Sequence, residues 1–216
     1  MFRDSLPVGR VAAWTGGFGQ AARMTALRPT SPLVGERVTV EPIAEWHREE
    51  LRAVADADPA IFRFMGFANG LGAEFDKWFD RALTVENEEP FVILVDGNPV
   101  GSSRFLALAL EHRRAEIGWT WYARSTWGTG VNVETKLLLL THAFETCGLM
   151  RVEFKTDALN ERSRGALGAL GAQFEGIFRK HMVYPDRIRD SAYFAIVDDD
   201  WPGVKAHLRK RLADLP

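Results

Sequence analysis

Among the 216 residues there is one cysteine, Cys147. A lone cysteine excludes an intramolecular disulfide and any zinc site built on several thiolates. It falls late in an apolar segment with helical spacing, where a buried, inert thiol is the simplest reading. Charge of one sign is also missing: 27 Lys plus Arg face 29 Asp plus Glu, a net charge of −2. Bulk charge therefore gives no case for a nucleic-acid partner. No apolar run approaches the ~18 residues of a membrane span; no uninterrupted one exceeds the six residues of FLALAL. The histidines at 47, 112, 142, 181 and 207 show neither H-x-H nor H-E-x-x-H spacing, so no metal is expected. G-x-x-x-x-G-K-[ST], a three-glycine dinucleotide loop and a G-x-S-x-G elbow are absent as well. Ser102 and Ser103 read as residues of an ordinary strand.

What remains is an ordinary globular composition, 46% hydrophobic and 26% charged, of a length that fits one large domain or one domain with extensions. Residues 1–35 carry Arg3, Arg10, Arg23 and Arg28 against the single acid Asp4, and Gly16, Gly17 and Gly19 interrupt them. That pattern argues against a secretory signal. It reads as a poorly ordered extension, upstream of a start at Met24, or as an Arg-rich transit peptide. The expected location is cytoplasmic.

From residue 36 the pattern becomes regular. ERVTVEPI alternates as a strand and AEWHREELRAVAD reads as a helix. AIFRFMGFANGL, residues 60–71, reads as a loop over a pocket or an irregular helix. EFDKWFDRAL is a short helix with Phe75, Trp78, Phe79 and Leu83 at helical spacing. Three strands follow in PFVILVD, VGSSRFLALAL and RRAEIGWTWYA, the last strongly aromatic. A helix then shows Val133, Leu137, Leu140, Phe144 and Cys147 on one stripe and ends at Gly148. LMRVEFKTDA is a strand, NERSRGALGALGA a helix capped by Asn160, and two further strands lead to a C-terminal helix over 201–216. There the basic run KRL reads as solvated surface. The fold class is mixed α/β, an α+β sheet that is mostly antiparallel with helices on both faces. Strand, loop and helix at 115–147 form its parallel crossover.

The loop in that crossover, RSTWGTGVN, sets two glycines directly ahead of a core helix. Helix N-termini leave N–H groups without intrahelical partners, and the helix dipole favours an anion there. Glycine takes φ > 0 without strain and lets a backbone approach a ligand closely. The amides of Trp127, Gly128, Thr129, Gly130, Val131 and Asn132 are thus candidates for holding a pyrophosphate. The competing reading is a tight strand-to-helix turn that holds no ligand.

Loop, AEIGWTWYA strand and NERS helix, in this order and spacing, resemble the GNAT acetyltransferase superfamily, in its branch of RimJ/RimL-like protein N-acetyltransferases. That family's loop reads Q/R-x-x-G-x-G/A. Gly128 and Gly130 match it, while its first position falls on Ser125 with Arg124 one residue early. Its later motif, an Asn, a small residue three further on and a Gly eleven after the Asn, falls on Asn160, Ser163 and Gly171. The resemblance covers roughly 36–198. It implies the GNAT fold over 36–200 and transfer of an acetyl group from acetyl-CoA, as co-substrate, to a primary amine. That amine is a protein N-terminal α-amine or a small molecule. No metal, nucleic acid or membrane is implied, and a homodimer is compatible with it. A non-catalytic acyl-CoA-binding sensor or assembly protein on the same fold is the alternative.

Such a transfer needs a neutral amine and a stabilised leaving thiolate. Glu116 is the candidate general base, directly or through water; the blander reading is a carboxylate on the sheet rim. Strict alternation sets Glu116, Gly118 and Thr120 on one face and Ile117, Trp119 and Trp121 on the other. The resemblance implies that the backbone of Trp119, Thr120 and Trp121 pairs with the pantetheine arm. It also implies that Asn160 and Ser163 contact that arm, Ser163 also as a proton donor to the thiolate; an N-cap followed by a neutral polar residue is the plain alternative. Arg162 and Arg164 face either the 3′-phosphate or solvent. Where many relatives carry a tyrosine as general acid this chain has Leu167, which leaves Tyr184 and Tyr193 as looser candidates. Phe62, Phe64, Met65, Phe67, Trp78 and Phe79 divide between core and the roof of an acceptor pocket.

Overall fold

The computed structural model describes residues 27–67 and 70–215. Its frame is one sheet of eight strands in the order β1-β2-β3-β4-β5-β6-β8-β7. These are β1 (Leu33–Val34), β2 (Thr39–Pro42), β3 (Glu89–Val95), β4 (Asn98–Ala109), β5 (Arg114–Tyr122), β6 (Arg151–Asp157), β7 (Gln173–Val183) and β8 (Ile188–Val197). Every neighbouring pair is antiparallel except β5 and β6, which run parallel. A parallel pair needs a crossover, and the glycine loop with its helix supplies it.

Among the described residues five α-helices cover the sheet. They are α1 (Arg48–Ala57), α2 (Phe75–Thr84), α3 (Val131–Thr141), α4 (Glu161–Leu170) and α5 (Trp201–Ala213). On one face Leu51 of α1 and Phe75, Trp78 and Phe79 of α2 pack with Val92 and Trp121. In α2 the buried stripe closes with Ala82, whereas Leu83 is exposed. On the other face Leu139 and Leu140 of α3 share a core with Ile117, Phe154, Trp201, Val204 and Leu208. Both faces are covered where the helices pack, and β3, EPFVILV, accordingly reads as a near-continuous hydrophobic run.

The register of β5 departs from strict alternation. Between the pairs Ser102↔Trp121 and Arg104↔Gly118, β4 contributes Ser103 alone while β5 contributes Trp119 and Thr120. This is a β-bulge, which adds a residue and re-aims those after it. Trp119 takes a left-handed φ of 49° there. Trp119 and Trp121 consequently pack on the α1/α2 side, while Ile117 and Tyr122 pack on the α3 side. The alternation that grouped Ile117 with Trp119 and Trp121, and Glu116 with Thr120, fails for this reason.

Helix α3 is buried well beyond a single stripe: Glu134, Thr135 and Lys136 are interior along with Val133, Leu139 and Leu140. The Glu134 carboxylate accepts the N–H groups of Glu36, Arg37 and Val38 at 2.9, 2.7 and 2.8 Å. It satisfies the turn between β1 and β2, where Gly35 has no room for a Cβ, only 2.5 Å from that carboxylate. After α3 the chain makes a π-type turn over His142–Thr146 and leaves through Gly148 in a left-handed conformation. The fold begins before residue 36: Leu27 is fully buried, and its carbonyl lies 2.9 Å from His142 Nε2. The expectations for residues 1–26, including a start at Met24, lie outside the described residues.

Candidate active site in the cleft between β5 and β6

Strands β5 and β6 pair only from Arg114–Glu116 to Arg151–Glu153. Beyond that they part, and the edge of β5 from Ile117 onward has no strand partner on the β6 side. The opening is a cleft of about 480 Å³. Trp127, Gly128, Gly130, Asn132, Asn160 and Ser163 line one end, Trp119, Thr120 and Trp121 the middle, and Glu116 the far side. The crossover thus brings together residues from three segments, β5, the glycine loop running into α3, and the start of α4. Thr129 and Val131 are in the loop but do not line the cleft.

The loop geometry follows from its glycines. Gly128 and Gly130 hold φ of 81° and 92°, a region that costs a β-carbon-bearing residue strain. At Gly130 a Cβ would also lie 2.8 Å from Leu215 Cδ1. The N–H groups of Trp127 and Thr129 close turns onto Arg124 O and Thr126 O at 3.1 and 3.4 Å. They do not join a continuous cradle running from Trp127 to Asn132, as the sequence suggested. The first helical amide to bond back is Glu134 N–H, to Gly130 O at 2.9 Å. Gly128, Gly130, Val131 and Asn132 keep N–H groups with no acceptor among the described residues.

Side-chain cations near this end are arranged differently from the sequence reading. Arg124 is ion-paired to Asp58 at 2.6 Å. Arg162 lines the cleft and stacks over Trp127, 3.6 Å from the ring centroid, while Arg164 donates to Ala158 O. Arg211, from the run read as solvated surface, lines the cleft too and donates to Ala169 O at 2.5 Å. Asn160 caps α4, its Oδ1 accepting Ser163 N–H at 3.1 Å. The Ser163 hydroxyl has no partner among the described residues and borders the cleft. Leu167 lines the wall with an apolar side chain, and Tyr184 lines it further along. Tyr193 does not line the cleft; its hydroxyl is 3.4 Å from His181 Nε2.

Glu116 is not on an exposed rim. It is 4% exposed, with Lys155 Nζ 3.3 Å from Oε2. Burial raises its pKa above the ordinary carboxylate value, and Lys155 opposes that rise. A carboxylate so placed takes up a proton more readily than a solvated one. Across the cleft Lys136 is 3% exposed, and Nζ donates to Thr120 Oγ1 at 2.8 Å and Ser103 Oγ at 3.4 Å. Among the described residues no carboxylate lies within ion-pair distance of it, and burial pushes its ammonium down to about 7. Lys136 was missed in the sequence. Its only signal is a charged residue inside an otherwise apolar helix.

The far end has an apolar roof of Ile61, Phe64 and Met65. Phe62, Trp78 and Phe79 belong to the core instead, and Phe67 packs on Trp119 with ring centroids 6.2 Å apart. Asp157, Tyr184 and Arg189 complete this end. No group of three or more His, Cys, Asp or Glu side chains among the described residues is placed to hold a metal.

Comparison with known proteins agrees with this geometry. A solved GCN5-related N-acetyltransferase from Brucella melitensis is 28% identical, with a TM-score of 0.81 over 88% of both chains. The Uncharacterized N-acetyltransferase YoaA of Bacillus subtilis (strain 168) is 33% identical over 98 residues. That match takes in 45% of this chain and about half, 55%, of the relative. RimL, a ribosomal L7/L12 alpha-N-protein acetyltransferase solved in complex with coenzyme A, shares the fold at 17% identity, with a TM-score of 0.69 over 78% of this chain and 99% of its own. The family model for the acetyltransferase (GNAT) domain matches residues 37–173, and the chain belongs to that family.

Proposed function

We infer that the protein is an N-acetyltransferase that takes acetyl-CoA as donor and a primary amine as acceptor. The observation that carries this is the single cleft joining an amide-lined helix start to a buried carboxylate past an unpaired strand edge. Bound acetyl-CoA supplies an acyl group activated as a thioester. The free amides at Gly128, Gly130, Val131 and Asn132 suit its pyrophosphate, and Arg162 and Arg211 stand at the same end. The open edge of β5 at Trp119, Thr120 and Trp121 suits an extended amide-bearing arm, held as a neighbouring strand would be. Asn160, beyond its capping bond, offers an amide nitrogen to that arm.

Glu116 accepts the proton that the acceptor ammonium must lose, directly or through a water. The amine nitrogen then forms its bond to the thioester carbon as the carbon–sulfur bond breaks. Ser163 Oγ–H hydrogen-bonds the leaving sulfur and hands it a proton, and the second proton released by the attacking nitrogen, as it becomes an amide, restores the hydroxyl through water. The bulge at Trp119 leaves a residue out of the ladder beside the reacting centre. RimL shows the fold alone at its level of identity and does not name the acceptor for this chain.

Free thiol released from acetyl-CoA over a panel of N-terminal peptides, polyamines, aminoglycosides and amino acids tests the reading. Release with at least one class is the expected result. Leu167 in place of a phenol favours the second reading, a non-catalytic acyl-CoA binder. Thermal stabilisation by acetyl-CoA with no thiol from any acceptor would establish that one instead.

The donor loop makes a separate prediction. Replacing Gly128 and Gly130 together by Val forces both left-handed positions onto branched residues and drives a side chain at 130 against Leu215. Calorimetric Kd for coenzyme A is expected to rise by about 100-fold. Unchanged affinity would remove the loop from the donor site.

A further inference from the structure

Arg189 on β8 is 6% exposed and lines the acceptor end of the cleft. Its NH1 donates to Tyr184 Oη at 2.5 Å. Its Nε has no hydrogen-bond partner. Asp157 Oδ2 lies 3.9 Å from that nitrogen, near enough for charge attraction and too far for a hydrogen bond. Asp157 is already engaged, by Arg187 through Oδ2 and by Leu159 N–H through Oδ1. Nearby, Lys155 pairs with Glu116. The carboxylates Glu116 and Asp157 therefore face three cations, Lys155, Arg187 and Arg189. Asp186 also faces Arg187 and Glu153 faces Glu116, so what stands out is the unmade bond at Arg189 Nε, and a buried guanidinium donor without an acceptor is costly unless a ligand completes it.

A guanidinium is matched by a carboxylate, which can take two parallel N–H bonds. Arg189 is also close enough to Glu116 to favour that residue's charged form. Arg189 and Glu116 line the same cleft, so one small molecule can present a carboxylate to the first and an amine to the second. Phe64 and Met65 close this end with apolar surface. We propose that the acceptor is a compact amine carrying a carboxylate and an apolar body, of the free amino-acid type, with its carboxylate on Arg189. This rests on the N-acetyltransferase reading and narrows it.

The test compares initial rates, with acetyl-CoA saturating, for phenylalanine, leucine and methionine against their primary amides, with short N-terminal peptides as a third arm. Each acid is expected to exceed its amide by about tenfold or more in kcat/KM, because a site built for a polar group rejects the analogue lacking it. Arg189→Gln is expected to raise KM for the acids by about 30-fold, with a much smaller change for the amides and with the KM for acetyl-CoA near its wild-type value. Arg189→Lys, which keeps the charge without the fork, is expected to fall between. The wild-type comparison decides the proposal even if the Gln variant does not fold. Amides or peptides acetylated as well as the acids would overturn the carboxylate assignment and leave the acetyltransferase standing. No thiol release with any amine would overturn both.

Discussion

Glu116→Gln is expected to lower kcat by about 10²–10³-fold, the usual contribution of a positioned base, with the Kd for acetyl-CoA nearly unchanged. Gln keeps the volume and one hydrogen-bond acceptor but takes no proton from the acceptor amine. The wild-type profile should fall on the acid side as Glu116 protonates, above the ordinary carboxylate range because burial raises its pKa. The variant should lack that limb. The difference between the two is greatest between the Glu116 ionisation and that of the acceptor amine. It shrinks at higher pH, where the amine is neutral without help. Steady-state rates over pH, beside calorimetry with acetyl-CoA, make the measurement. An equal loss in donor binding would assign Glu116 a structural role through its pair with Lys155.

Lys136→Met is expected to stabilise the fold near neutral pH. Burial lowers the folded pKa of this lysine from 10.5 to about 7. Between those values the unfolded chain holds a proton that the folded chain has released, so stability rises with pH across that window. The penalty is full below about 7 and gone above the unfolded value. At 1.36 kcal/mol for each unit of pKa, the penalty is on the order of 3 kcal/mol once solvent relaxation is allowed for. Met fills similar volume, and Ser103 and Thr120 keep their mutual hydrogen bond of 2.7 Å. Melting near pH 6 should show Tm raised by roughly 6–12 °C, the gap closing as pH approaches 10. A gap that does not change with pH would mean that the lysine is neutral, or solvated, in the fold.

Much of the architecture is local in origin and therefore legible in the sequence. Gly128 and Gly130 before a helix, Asn160 as a cap and Gly148 as a left-handed helix end each act within a few residues. The positions of most strands along the chain follow from apolar runs and turns in the same way, whereas the placing of β8 between β6 and β7 does not. Strand β1 escapes this reading because it is only two residues, Leu33–Val34, held by β2 and by Glu134 some 96–98 positions away. The bulge at Trp119 carries no mark in the period of RRAEIGWTWYA; it shows only when β4 is laid beside β5. Lys136, Arg189 and Arg211 are charged residues whose meaning depends on what surrounds them. The first two lie deep in the fold and the third at the cleft wall through the docking of α5. Composition reports their charge and is silent on their burial.

The contact of Leu215 with the Gly130 turn has a practical side. A peptide joined directly after Leu215 would emerge beside the amides inferred to hold the coenzyme's diphosphate. Binding constants measured on such a fusion would report the appended peptide along with the native protein, and comparison with material cleaved of it would separate the two.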